Sequence, residues 1–324
     1  MSRLIGRRPR GPAVVALGGG HGLSASLKAL RRITEHITAV VGVADDGGSS
    51  GRLRKEFGML PPGDLRMALA ALCSDDTWGR TWSEVIQHRF GGHGDLAGHS
   101  LGNLLIAALW DQTHDAVIGL DWLGALLGAQ GRVLPCSSVP LEIVADVVGL
   151  DPSRPDRVSV VRGQVAVAAT AGQVVRLALE PAAPPPCPEA LEAIAAADAI
   201  VLGPGSWFTS VLPHVLIPAQ LEAISHAKAQ RILVMNLAPQ RDAETAGVSA
   251  SAQIQILREL APELRLDTLV VDPRHVEDID QLSAVAGGAE VVSASLAFTN
   301  PAQSGYHDPD RLAVALGSAL ETLR

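Results

Sequence analysis

Glycines cluster immediately after two short apolar runs, where a chain that binds phosphate would need its backbone exposed. The first run, residues 14–17, leads directly into GGGHGLS. Glycine lets a backbone approach phosphate closely, and the helix that follows offers unpaired N–H groups and the positive end of its dipole. The predicted phosphate contacts in this turn are Gly18, Gly19, Gly20, His21, Gly22 and Leu23.

The spacing of these glycines departs from the standard dinucleotide pattern. Gly18 and Gly20 occupy the first two positions of G-x-G-x-x-G, but Leu23 stands where the third glycine belongs. No glycine is followed by Lys-Ser or Lys-Thr, so the chain has no Walker A loop. A tight structural turn and an NAD(P)-linked oxidoreductase site remain alternatives to a nucleotide diphosphate site.

A second group of polar residues lies in VADDGGSSGRLR, residues 43–54. Asp45 and Asp46 end a predicted strand and could accept hydrogen bonds from ribose hydroxyls. Alternatively, Asp46 and Asp64 could hold Mg²⁺, which prefers carboxylates combined with substrate phosphates. Ser49, Ser50 and Arg52 supply hydroxyls and a forked cation for the same ligand. The alternative without a ligand is a surface turn with solvated charges.

Two further segments carry polar residues beside apolar helices. In GHSLGNLL, we predict that His99, Ser100 and Asn103 contact the ligand, although a satisfied core histidine is nearly as well supported. In LPPGDLR, Asp64 could simply cap its helix and Arg66 could be solvated.

The second glycine turn, in VLGPGSWFTS, follows another buried run. Two such turns on separate strands predict a ligand that lies across the carboxyl ends of a parallel sheet. A polar residue at the end of the next strand, Asn236, is expected at the same edge. The remaining contacts predicted here are Gly203, Pro204, Gly205, Ser206, Thr209 and Ser210.

The order of apolar runs predicts the fold. Strands and helices alternate, which favours an α/β, Rossmann-like, doubly wound and mainly parallel sheet. Alternation between about residues 133 and 180 predicts an inserted antiparallel segment, with strands near 141–147, 165–167 and 175–179. Helices are predicted at 24–33, 65–72, 82–90, 101–110, 116–127, 189–197, 219–227 and 311–323, and other strands at 14–17, 37–44, 199–202 and 232–236.

The amino-acid composition of the chain limits the classes of partner that it is expected to bind. The formal net charge of −8 argues against general affinity for nucleic acid or anionic membranes. Three dispersed cysteines form no metal motif and suit reduced thiols in a cytoplasmic protein. Residues 199–220 lack Asp, Glu, Lys and Arg, but glycines and prolines there exclude a membrane span. We expect a flexible basic stub at residues 1–12 and a single domain at 13–324.

Taken together, the strings GGGHGLS, VADDGGSSGRLR, PPGDLRMALAAL, GHSLGNLL, GRVLP and GPGSWFTS resemble the gluconeogenesis-factor family, the YvcK-like branch of the CofD-like superfamily. The GGGHGL form is most similar to actinobacterial members. The resemblance implies binding of a nucleotide-sugar such as UDP-N-acetylglucosamine. It also implies a cytoplasmic role in cell shape and wall-precursor (peptidoglycan) control, with protein partners in cell-wall synthesis. We further expect a homo-oligomer.

The other branch of this superfamily, 2-phospho-L-lactate transferase, supplies an enzymatic alternative. That branch holds its metal with an acidic pair and a following Pro-Asp-x-Asp segment. Asp45 and Asp46 match the pair, whereas residues 62–66 keep only one of the two later acids, Asp64. The resemblance therefore leaves a metal-dependent phosphotransferase open beside a binding protein without turnover. A short family segment is also matched by residues 306–308.

Overall fold

The computed structural model describes residues 10–237, 245, 247–276 and 278–321. Its strands are β1 (Val14–Gly18), β2 (Ile37–Val41), β3 (Arg132–Pro135), β4 (Glu142–Val148), β5 (Ser159–Arg162), β6 (Gln173–Glu180), β7 (Ala199–Leu202), β8 (Gln230–Val234), β9 (Thr268–Val271) and β10 (Glu290–Ser293). Residues 1–9 of the basic stub predicted at 1–12, and the last two residues of the closing helix predicted at 311–323, lie outside the described residues.

The helices are α1 (Gly20–Leu30), α2 (Gly48–Phe57), α3 (Gly63–Leu72), α4 (Thr77–Gln87), α5 (Leu101–Thr113), α6 (Ala116–Leu127), α7 (Gln164–Ala168), α8 (Pro188–Ala195), α9 (Pro218–His226), α10 (Ala250–Leu260), α11 (Ile279–Val285) and α12 (Pro309–Leu320). A π-helical turn (Trp207–Val211) and a 3-10 turn (Leu212–Val215) follow β7. Across the part of the chain that is described, no helix has the length and apolarity to span a bilayer.

The main sheet has seven parallel strands in the order β10-β9-β8-β7-β1-β2-β3, which confirms the predicted doubly wound fold. β1 and β7 are buried along their whole length, as continuous apolar strands covered on both faces should be. They are also where the strand order reverses, with later strands to one side of β1 and β2 to the other. The carboxyl edge of such a switch point is the usual ligand crevice of an open α/β sheet.

The inserted antiparallel segment is confirmed as a three-stranded sheet in the order β5-β4-β6. It begins later than predicted, because Val133 pairs with Ala39 in the main sheet as part of β3. The predicted strand at residues 165–167 is wrong, since Val165 and Val167 lie in α7. Two valines at a spacing of two are too short a signal to separate a strand from one helical turn. β5 was not predicted.

Other differences cluster at glycine-rich or polar segments. α1 begins at Gly20, four residues before its predicted start, and residues 48–57 form α2 where only a loop was expected. α10, α11 and β10 were also not predicted. α4 begins five residues early because Asp76 caps it, accepting the N–H of Gly79 at 2.7 Å.

Candidate functional site

A cleft of about 710 Å³ opens at the carboxyl edge of the sheet, beside β1 and β7. Both glycine turns border it, together with one face of α1 and a segment near the C-terminus, residues 298–309. From the first turn and α1 come Gly19, Gly20, His21, Gly22, Ser24, Ala25 and Lys28; from the second turn and its neighbour come Pro204, Gly205, Ser206, Ser210 and Asn236.

The first turn needs its glycines for two different reasons. Gly20 has φ +58°, a left-handed conformation that other residues adopt only at a cost. A Cβ on Gly22 would lie 2.1 Å from the carbonyl oxygen of Pro204, so the two turns touch through backbone. Within the described residues, the N–H groups of His21 and Gly22 have no protein acceptor. The side chain of Leu23 is buried, so only its backbone belongs to the turn.

The second turn is held by a side chain from the next strand. Asn236 accepts the N–H of Gly205 at 2.9 Å and donates its amide to the carbonyl of the same residue. This confirms that the residue lies at the carboxyl edge beside the second turn. Thr209 is buried, and its carbonyl accepts the side-chain amide of Gln164 from the insertion at 3.3 Å.

The third wall of the cleft comes from the C-terminal part of the chain, and no site residue was predicted there. Tyr306 and His21 place their ring centroids 6.0 Å apart at an interplanar angle of 58°. His307 is buried and donates its Nε2–H to the carbonyl of Met235 at 3.2 Å, which ties this wall to the end of β8. Lys28, two turns along α1 from His21, was also missed. Only the match at residues 306–308 pointed toward this wall.

Asp64 joins the first glycine turn to the acidic pair. It lies in the first turn of α3, whose cap is Pro62, so the alternative that Asp64 caps its helix is wrong. Its carboxylate accepts the backbone N–H of Gly20 and lies against Gly19. Burial and the nearby charge of Asp45 raise the pKa of Asp64 to about 7.

The two acids of the pair take different positions. Asp45 neighbours Asp64 and accepts the N–H of Gly47 at 2.9 Å. Asp46 accepts the N–H of Val165 at 3.0 Å, and so contacts the first turn of α7 in the insertion. No group of three His, Cys, Asp or Glu side chains in the described ranges is arranged to hold a metal. Magnesium at Asp46 and Asp64 stays a prediction, to be completed by ligand phosphates.

Side chains from α2, α3 and α5 form a buried polar cluster behind the acids. Asn103 donates to the Ser49 hydroxyl at 3.0 Å and accepts from Arg66 Nε at 3.0 Å. The same hydroxyl lies 2.9 Å from Nδ1 of His99 and can donate to it, since it already accepts from the amide. Asn103 also approaches Ser50 Oγ at 3.5 Å. The side chains of Ser49, Asn103 and His99 therefore use much of their hydrogen-bonding capacity within the cluster.

The remaining predicted residues have backbone or buried surroundings. Arg52 donates to the carbonyls of Asp95 and Ala97, at 3.3 and 2.7 Å, and so holds the glycine-rich loop before α5. Burial and the Arg52 charge lower the pKa of His99. Ser100 is fully buried, and its hydroxyl has no partner among the residues that the structure describes.

Comparison with known proteins agrees with this architecture. The family described as 2-phospho-L-lactate transferase CofD matches residues 14–299. A "Putative gluconeogenesis factor" of Mycobacterium tuberculosis is 50% identical over 305 residues, covering 94% of this chain and 89% of that protein. The gluconeogenesis factor of Bacillus subtilis is 36% identical over 267 residues, covering 82% of this chain and 80% of its own.

The fold is also similar to a solved structure. A Bacillus halodurans protein of the UPF0052 family superposes with a TM-score of 0.83 and 32% identity, covering 95% of this chain and 99% of that one. The family match, the relatives and the solved structure therefore all cover most of the same part of the chain. The chain belongs to the gluconeogenesis-factor family within the CofD-like proteins.

Proposed function

We propose that this protein binds a nucleotide-sugar of the UDP-N-acetylglucosamine kind in the cleft and acts as a regulator without efficient turnover. One observation carries the proposal. The cleft has two glycine turns at one side, and Tyr306 of the C-terminal wall places its ring beside that of His21 from the first turn. A nucleoside diphosphate needs both a phosphate cradle and an apolar surface for its base.

The phosphates would lie at the start of α1. The free N–H groups of His21 and Gly22 supply donors there, and the helix dipole adds a positive field. The ammonium of Lys28, which lines the same cleft, adds a mobile positive charge. Tyr306 is 45% exposed, so its ring is available to a base. Hydroxyls of the sugar would meet Ser206, Ser210 and the amide of Asn236.

The cellular role in this proposal follows the family. The names of the relatives refer to gluconeogenesis, which suits a sensor of precursor supply. In such a role the protein would act in the cytoplasm, respond to the level of a wall precursor, and influence cell shape through protein partners in cell-wall synthesis. Assembly as a homo-oligomer belongs to the same proposal.

Calorimetric titration with UDP-sugars, GDP and NAD, each with and without Mg²⁺, tests the proposal. We expect a UDP-sugar to bind and NAD to bind weakly or not at all. Gly20→Val should fold but lose at least tenfold in affinity, about 1.4 kcal/mol, because bulk blocks backbone approach and valine resists φ +58°. Gly91→Val is the matched control, since a Cβ there meets nothing. Normal binding by a folded Gly20→Val variant would show that the loop is a structural turn that does not contact the ligand.

The alternative function is a magnesium-dependent transferase of the 2-phospho-L-lactate type. Two observations favour it: the family description and the proximity of Asp45 to Asp64 beside the glycine turn. A magnesium ion held by carboxylates there would polarise a diphosphate. Activity requires an acceptor hydroxyl, so the test is turnover with added acceptors.

A further inference from the structure

A buried histidine from beyond the second glycine turn contacts the first. His214, in the 3-10 turn Leu212–Val215, places Nε2 3.2 Å from the carbonyl oxygen of Gly18. A carbonyl only accepts, so Nε2 carries the proton and Nδ1 must accept. Gln220 supplies that donor, with its amide nitrogen 2.9 Å from Nδ1. The same amide reaches the carbonyl of His214 at 3.0 Å, which fixes its orientation.

A buried serine makes the reverse connection. Ser26 lies on α1, the helix that follows the first turn, and its hydroxyl donates to the carbonyl of Gly203 at 2.8 Å. Gly203 begins the second turn. Each turn is therefore held by a side chain from the segment that follows the other turn, and both side chains are at least 99% buried.

These contacts set the direction of backbone groups at the cleft. In a planar trans peptide the C=O and N–H point in opposite directions. The carbonyl of Gly18 accepts the Nε2–H of His214 and also the backbone N–H of Gly42 at 2.9 Å, and these two donors together fix the direction of the N–H of Gly19, which lines the cleft. Between the two contacts, Gly22 lies directly on the backbone of Pro204, so a shift of one turn must move the other.

We infer that His214 and Ser26 are positioning residues that form a reciprocal brace and make the two glycine turns one rigid ligand-binding unit. Loss of either brace residue loosens both turns. The effect on ligand affinity rests on the proposed function, whereas the coupling between the turns does not. Burial lowers the pKa of His214 to about 4, so its imidazole is neutral near pH 7, as the hydrogen bonds require.

The test uses Ser26→Ala, His214→Phe and the double variant, with two measurements. Amide hydrogen exchange of the unliganded protein should rise at least tenfold, in each single variant, at the hydrogen-bonded amides of both turns: Gly20 and Leu23 in the first, Gly203 and Gly205 in the second. Affinity for UDP-N-acetylglucosamine, the probe, should fall about tenfold in each, and the double variant should lose little more. His214→Gln, whose amide can donate to Gly18, should restore both measurements to within threefold of the wild type.

Thr268→Val is the matched control, because it also removes a buried hydroxyl but lies at the start of β9, at the opposite edge of the sheet. It should leave exchange at both turns unchanged. Faster exchange at only one turn, with affinity losses that multiply in the double variant, would show independent turns and overturn the brace. If His214→Phe does not fold, Ser26→Ala and His214→Gln still decide. If the wild type binds no UDP-sugar, the proposed function fails while exchange still tests the coupling.

Discussion

The glycine turns follow β1 and β7, the polar cluster behind Asp45 comes from α2, α3 and α5, and the two regions offer a ligand different groups. The turns offer backbone groups, and two N–H groups at His21 and Gly22 are left without a protein acceptor in the described structure. The cluster consists of side chains, and Asn103 joins Ser49 to Arg66 within it. A ligand would therefore find free donors in the cleft, whereas the cluster has already paired most of its hydrogen-bonding groups.

The largest expected effect comes from a substitution at the backbone contact between the two glycine turns. Gly22→Ala places a Cβ 2.1 Å from the carbonyl oxygen of Pro204, and backbone cannot yield as a side chain can. We expect a loss of about 3 kcal/mol or more in the free energy of unfolding, measured by urea denaturation. Gly305→Ala, at an open glycine of the same cleft, is the control. Near-normal stability of Gly22→Ala would mean that the two turns are not in firm contact.

The next prediction compares two asparagines, of which one is expected to affect stability and the other ligand binding. Asn103→Ala leaves the buried guanidinium of Arg66 without its hydrogen-bond acceptor, so the free energy of unfolding should fall by about 2 kcal/mol. Nucleotide affinity should change less than threefold. Asn236→Ala should instead weaken binding, because it releases Gly205 at the second turn. Tenfold weaker binding by folded Asn103→Ala would place the cluster in contact with the ligand.

Two buried groups beside the cleft should respond to pH with opposite sign. Asp64, with its pKa raised to about 7, keeps a proton that the unfolded chain releases near pH 4, so its contribution to stability is lost as pH rises from about 4 to 7. His307, with its pKa lowered to about 4 by burial, stays neutral while the unfolded chain takes up a proton. Its contribution is lost as pH falls from about 6.5 to 4.

Between pH 4.5 and 6, Asp64→Asn should make the free energy of unfolding increase more steeply with pH, and His307→Gln should make it increase less steeply. Each change is at most about 1.4 kcal/mol per pH unit, the effect of one proton. Urea denaturation at four pH values measures it. Slopes that shift in the same direction for both variants would contradict these assignments.

The smallest effect distinguishes a binding protein from an enzyme. Asp46→Asn keeps an oxygen for the N–H of Val165, so the fold should be unchanged. We expect binding to weaken by about 1 kcal/mol through a lost hydroxyl contact, equally with and without Mg²⁺. If the residue instead serves metal catalysis, affinity should persist while turnover disappears. Phosphotransfer from a nucleotide-activated donor that Asp46→Asn abolishes would establish the transferase.

The pattern of residues along the chain was sufficient to predict an element wherever its whole signal lay within one short segment. The bounds of α6 and β7 were predicted to the residue, because their apolar periodicity and their turns are complete within a dozen positions. The glycine turns were found for a similar reason, since a buried strand followed by glycines is a local arrangement. Glycine's low helix propensity hid α2, which buries Ser49, Ser50 and Leu53 and contacts α5, an element distant in sequence.

By itself, the amino-acid sequence determined the doubly wound sheet, the two glycine turns and the family, since each depends on patterns along the chain. Tertiary structure alone decided which residues meet. The order of the strands brings Tyr306 beside His21, 285 positions earlier in the chain, and the insertion brings Val165 to Asp46. Long-range pairing of this kind leaves no periodic trace in either segment, because each partner's local conformation is compatible with many neighbours. The cleft's third wall and the brace between its turns therefore became visible only in the folded chain.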